Sequence, residues 1–149
     1  MDIGLNILDN FKISIGESFE SIVHKLKQSN IEYYIPYKSS NNYLLYIESY
    51  GIELRLTDNK ISFIKTTNTE LNYIMTIDNT HPVKVVNEIR DKLAVRFEIS
   101  NSSKIFIDRF EANSFNSIIT IPYDSTNRVK ISLVLGKDSS IYIKTIELV

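Results

Sequence analysis

Apolar residues recur along the first part of the chain with the spacing of an amphipathic helix. They occupy positions i, i+3, i+4 and i+7, namely Phe19, Ile22, Val23 and Leu26. Ser18 precedes this stripe and has a hydroxyl that can accept a hydrogen bond from a free amide of the first turn. We therefore predict a helix that starts after Ser18 and ends near Asn30.

The period then changes to the alternation that is typical of half-buried strands. Four successive strands are predicted at residues 31–37, 43–48, 51–56 and 61–66. Turn-forming residues separate them, and Asp58, Asn59 and Lys60 favour a tight hairpin.

The second half repeats this order. A short strand at residues 74–77 precedes a helix that begins near Pro82, where proline suits the first turn. The apolar stripe of this helix is Val85, Val86, Ile89 and Leu93. Strands are predicted at residues 94–99, 104–110, 117–123, 128–135 and 141–148.

The predicted fold class is α+β, a single domain over residues 1–149 with two helices packed on one side of an antiparallel sheet. Residues 11–67 and 73–148 form two candidate tandem α-β-β-β repeats. Aligning the helical stripes requires a shift of 63 residues, whereas aligning residues 63–66 with residues 142–145 requires 79. We assign the difference of 16 to an extra hairpin around residues 124–135; the alternative is that short β patterns recur by chance in an Ile-rich chain.

Composition supports strands and excludes several classes of function. The chain has 24 Ile but 2 Ala, a combination that fits pleated surfaces better than helices. Its net charge of -1 gives no bulk attraction to nucleic acid, and the absence of cysteine excludes disulfides and thiolate chemistry. No basic, apolar leader opens the chain and no long apolar stretch is present, so we expect a cytoplasmic protein.

No residues form a convincing catalytic group. His81 with Asp78 could imitate a general base and its orienting carboxylate, but a polar residue in a helix-start turn is the commoner role. The four glycines are isolated from one another, which leaves nucleotide binding by a glycine-rich loop unsupported. We expect no enzyme activity, no cofactor and no metal.

The most distinctive feature is a group of six tyrosines within eighteen residues. They are Tyr33, Tyr34, Tyr37, Tyr43, Tyr46 and Tyr50. Exposed tyrosines anchor protein interfaces and can also stack nucleic-acid bases, while some of these rings could simply complete the core. The segment contains Lys38 against Glu48, so few phosphate contacts are expected. We predict a partner-binding surface from these tyrosines with Glu48, to which Asp108 and Glu111 add negative charge for a basic partner.

The segment Ile15-Gly16-Glu17-Ser18-Phe19-Glu20-Ser21-Ile22 resembles the start of the helix-plus-strands repeats in the β-lactamase inhibitor protein and in small outer-membrane assembly lipoproteins. That resemblance implies one curved sheet that grips a protein partner. In general character the chain is also similar to the bacterial immunity proteins of polymorphic-toxin and contact-dependent growth inhibition systems. This implies binding and neutralisation of a cognate toxin, with a nucleic-acid-binding sheet as the alternative; the oligomeric state stays open.

Overall fold

The computed structural model describes residues 2–8, 10–67, 72–77, 81–111, 116–136 and 138–149. Within these ranges the chain is α+β, with two helices and a mostly antiparallel sheet, as predicted. The helices are α1 (Phe19–Gln28) and α2 (Pro82–Arg96). The strands are β1 (Gly4–Leu8), β2 (Phe11–Ser14), β3 (Tyr34–Ser39), β4 (Asn42–Ile47), β5 (Ile52–Thr57), β6 (Lys60–Thr66), β7 (Tyr73–Thr76), β8 (Phe106–Glu111), β9 (Asn116–Pro122), β10 (Arg128–Leu135) and β11 (Ser140–Leu148).

Helix α1 starts where its capping residues predict. The Ser18 hydroxyl accepts from the Ser21 amide at 3.1 Å. The Glu17 carboxylate accepts from the Ser21 hydroxyl at 2.8 Å and forms an ion pair with Lys25 at 2.9 Å. These contacts give hydrogen-bond partners to polar groups of the first turn of the helix and link that turn to the next one. Ile22 on the same helix faces the core.

Helix α2 is longer than the sequence pattern predicted. The prediction of a strand at residues 94–99 is wrong, because the helix continues to Arg96 and Ala94 is buried on the same stripe as Leu93. The Phe97 and Ile99 amides then donate to carbonyls of the last turn and close it. Alternating apolar residues suggested a strand here, but packing of the helical stripe decided the conformation.

A nine-stranded sheet forms the body of the described structure, and β1 and β2 pair separately as a hairpin. Along the sheet the order is β3-β4-β5-β6-β11-β10-β9-β8, and β7 pairs with the start of β11. The last strands of the two halves therefore meet at the centre, and β3 and β8 are the two opposite edges. The hairpin, the helices and one face of the sheet contribute to one hydrophobic core.

The two halves pair their strands in the same pattern. At the centre Ile64 lies opposite Ile146, and each is followed outward by three more strands. In each half the innermost strand carries one extra residue, Ser62 or Lys144, and the edge strand carries another. This shared pattern favours the prediction that the two halves arose by duplication of one ancestral unit.

The expected extra hairpin in the second half is wrong. Among the described residues each helix is followed by four strands, β3 to β6 after α1 and β8 to β11 after α2. The difference in length is spread over a helix of 15 rather than 10 residues and over longer strands and connections. The mistaken strand at residues 94–99 had given the second half a fifth strand after its helix.

Candidate protein-binding surface

The face of the sheet that points away from the helices is open, and two rows of paired residues cross it. The strand positions between these two rows point to the opposite face of the sheet, into the core. They are fully buried and include Leu45, Leu54, Ile64, Ile146, Ile131 and Ile119. The first outer row runs through Tyr34, Tyr46, Glu53, Lys65, Thr145, Ser132 and Ile118. The second runs through Tyr37, Leu44, Arg55, Phe63, Glu147, Lys130, Thr120 and Phe106.

Three of the six clustered tyrosines lie on this outer face. Tyr34 and Tyr37 on the edge strand are 47% and 57% exposed, and Tyr46 on β4 is half-buried beside them. The rings of Tyr34 and Tyr46 meet edge to face with their centroids 5.2 Å apart. We call Tyr34, Tyr37, Tyr46 and Glu48 the tyrosine surface.

The other three tyrosines pack against the core instead. Tyr43 stacks on Phe19 of α1 with ring centroids 4.0 Å apart, and Tyr33 and Tyr50 are also partly buried against the core. Alternation along β4 explains the split, because Tyr43 and Tyr46 are three positions apart and so face opposite sides. The sequence prediction treated all six tyrosines as one partner-binding set. The observed strand pairing is needed to distinguish those that face solvent from those that pack on the core.

Carboxylates surround the tyrosine surface. The Glu53 carboxylate interacts with the hydroxyl of Tyr46, and this interaction, with some burial and the charge of Glu53, raises the pKa of Tyr46. Glu53 also forms an ion pair with Arg55 at 3.4 Å, although Arg55 is largely exposed. The side chain of Glu48 is exposed, and its carboxylate has no hydrogen bond or ion pair with any other described residue.

Two hollows flank Tyr34, and both are lined by Tyr34 and Glu48. The first, of about 380 Å³, includes Tyr46, Glu53 and Lys65 in its lining. The second, of about 470 Å³, is lined by Glu32, Tyr33, Tyr34, Glu48 and Ser49. Sequence reasoning missed Glu32 and Glu53, although Glu53 stands between Ile52 and Leu54 in a strand pattern that marks it as outward-facing.

The predicted acidic residues Asp108 and Glu111 are not part of this surface. Both belong to β8, the edge strand opposite to β3, so the full width of the sheet separates them from the tyrosines. The Asp108 carboxylate is exposed and accepts a hydrogen bond from the Thr120 hydroxyl. The side chain of Glu111 lies outside the described part of the structure.

The two histidines lie far apart in the chain. His24 is exposed on α1, and His81 is the exposed residue that precedes the first turn of α2. Asp78, its supposed partner, lies outside the described residues. In the described ranges no group of three His, Asp or Glu side chains could hold a metal ion.

Comparisons with known proteins add no relative. No family model matches the chain, and searches of curated proteins and of solved structures give no significant match. Neither described helix has the length and apolar character that a membrane crossing requires.

Proposed function

We propose that this protein binds another protein through the tyrosine surface and acts as an immunity protein. In this proposal it neutralises a cognate bacterial toxin in the cytoplasm by covering the toxin's active site or substrate surface. The observation that carries the proposal is the exposure of Tyr34 and Tyr37 beside Tyr46 on an open sheet face. Large, fairly rigid aromatic side chains with polar tips are the residues that most often anchor protein interfaces.

The charge around the tyrosines favours a basic partner. Glu32, Glu48 and Glu53 line the two hollows, against one cationic residue, Lys65. A toxin that acts on nucleic acid needs a basic substrate surface, so such a surface would complement this one. An interface of roughly 1,200 to 2,000 Å² would be enough for stable occlusion.

The same charge speaks against the nucleic-acid alternative. Bases could stack on Tyr34 and Tyr37, but the carboxylates beside them would repel the phosphates that dominate nucleic-acid affinity. That alternative predicts binding to single-stranded DNA or RNA that weakens steeply with added salt.

The test is co-expression with the gene product encoded immediately upstream, scoring both growth protection and co-purification. Tyr34→Ala is then compared with Phe106→Ala in the same assay. Phe106 is the matched control because it holds the corresponding position in the pairing pattern and is 63% exposed at the opposite edge. We expect Tyr34→Ala to weaken the complex at least tenfold, or about 1.4 kcal/mol, and Phe106→Ala to change it less than threefold.

Absence of both protection and co-purification would remove the toxin-inhibitor proposal. If Phe106→Ala weakens the complex and Tyr34→Ala does not, the interface lies at the β8 edge of the sheet and the tyrosine surface is not the binding site. Circular dichroism of both variants checks that the fold is retained.

A further inference from the structure

The hollow lined by Glu32 and Glu48 differs from the neighbouring hollow, whose lining includes Lys65. Its lining is two carboxylates, two tyrosines and a serine, with no lysine, arginine or histidine among the described lining residues. Both carboxylates are exposed, and neither has a hydrogen bond or ion pair with another described residue. Its negative charge is therefore not neutralised from within the described chain.

An aromatic ring shares this hollow with the carboxylates. Tyr34 is 47% exposed and is held from its other side by the edge-to-face contact with Tyr46. A cation attracted by carboxylates gains further from an adjacent aromatic ring, and the planar guanidinium of arginine stacks on such rings while it bonds to carboxylates. Two carboxylates alone supply too few ligands for Ca²⁺, which takes six to eight oxygen ligands.

The corresponding place in the second half is built differently. There Phe106 holds the place of Tyr34 in the pairing pattern, and Thr120 and Lys130 hold those of Tyr46 and Glu53, which line the neighbouring hollow. A lysine at that position repels a cation, so the two ends of the sheet differ in charge although their strands pair alike.

We propose that the Glu32–Glu48 hollow receives a basic side chain, preferably arginine, from the protein partner. The inference rests on the proposed function, because it assigns the chemistry of the residue that the partner inserts beside Tyr34. The side chain places its guanidinium between the two carboxylates and against the Tyr34 ring.

The experiment is an NMR titration of the ¹⁵N-labelled protein with Nα-acetyl-arginine amide, followed through backbone amide shifts. The neutral isostere Nα-acetyl-citrulline amide is titrated in parallel. We expect saturable shifts at residues 32–34 and 48–51 with the arginine derivative, and at least tenfold weaker binding of the citrulline derivative. Glu48→Gln should weaken arginine binding at least fivefold, whereas Glu88→Gln on the exposed side of α2 should change it less than twofold.

The proposal is overturned if no saturable shifts appear in this region, if the citrulline derivative binds equally well, or if Glu48→Gln has no effect. Its failure is separable from failure of the proposed function. If the toxin still co-purifies but the arginine derivative does not bind, only the proposed insertion of an arginine into the hollow is refuted. Arginine binding without any captured toxin would instead leave the anchor site and remove the toxin-inhibitor role.

Discussion

The two halves of the sheet share a pairing pattern but present different chemistry to solvent. The first half ends in Tyr34, Tyr37 and Tyr46 with carboxylates beside them, whereas the second has Phe106 and Thr120 at the places of Tyr34 and Tyr46. The buried row between the outer rows is aliphatic in both halves. The core and the strand register therefore fix the scaffold, and the side chains on the opposite face are free to differ.

The largest expected effect concerns what the halves have in common. Ile64 and Ile146 face each other at the centre of the sheet, and both are fully buried. Replacing either with alanine should leave a cavity and lower the free energy of unfolding by about 2–5 kcal/mol. Urea denaturation of Ile64→Ala and Ile146→Ala should give losses that agree within about 1 kcal/mol, because their surroundings correspond. If only one of the two substitutions lowers the free energy of unfolding, the two halves do not contribute equally to the stability of the core.

A second prediction sharpens the difference on the inner face. Tyr43 and Ser117 hold corresponding positions, but Tyr43 stacks on Phe19 while the hydroxyl of Ser117 is buried without a hydrogen-bond partner in the described structure. Tyr43→Ala should destabilise the protein by about 3 kcal/mol through lost packing. Ser117→Ala should be neutral or slightly stabilising, since it removes an unsatisfied polar group. Thermal and urea unfolding measure both, and a large loss for Ser117→Ala would contradict the assignment.

The smallest expected effect lies in the turns that follow β4 and β9. In the second half the Asp124 carboxylate accepts from the Asn127 side chain and from the amides of Thr126 and Asn127, which lowers its pKa to about 2. The corresponding turn of the first half relies instead on Gly51, whose φ of 64° is left-handed.

Because the pKa of Asp124 is depressed in the folded state, its contribution to stability is complete above the unfolded value of about 3.9 and is lost as the pH falls through about 2. Asp124→Asn should therefore flatten the dependence of the urea midpoint on pH between about 4 and 2. Glu88→Gln, which also replaces an exposed carboxylate with its amide, serves as the matched control. An unchanged slope in Asp124→Asn would show that this turn does not contribute to acid sensitivity.

Local patterns were sufficient to predict most elements. The Ser18 cap and the apolar stripe of α1 predicted the start of that helix. Alternation identified the four strands that follow each helix, but it also added a false fifth strand after α2. The failure at residues 94–99 has a physical cause, since a short run of alternating apolar residues fits either conformation until a helical stripe is packed against a core. The strand β1 was not predicted at all.

The candidate surface was predicted only in part. Clustering pointed to the tyrosines of β3 and β4, but it did not separate Tyr34 and Tyr46 from Tyr43. It also grouped Asp108 with them, although the sheet order places that residue at the opposite edge. Glu32 gave no signal, because its importance depends on a hollow that it shares with Glu48.

By itself the sequence determined the α+β class, the helix starts and the strand-forming character, because these depend on spacing and on side-chain shape over a few residues. Only the tertiary structure decided which strands are neighbours, which tyrosines face solvent and which carboxylates surround them. Those properties depend on pairing between strands that are far apart in the chain and on extra residues that shift the register. They therefore cannot be predicted from the local periodicity of the sequence.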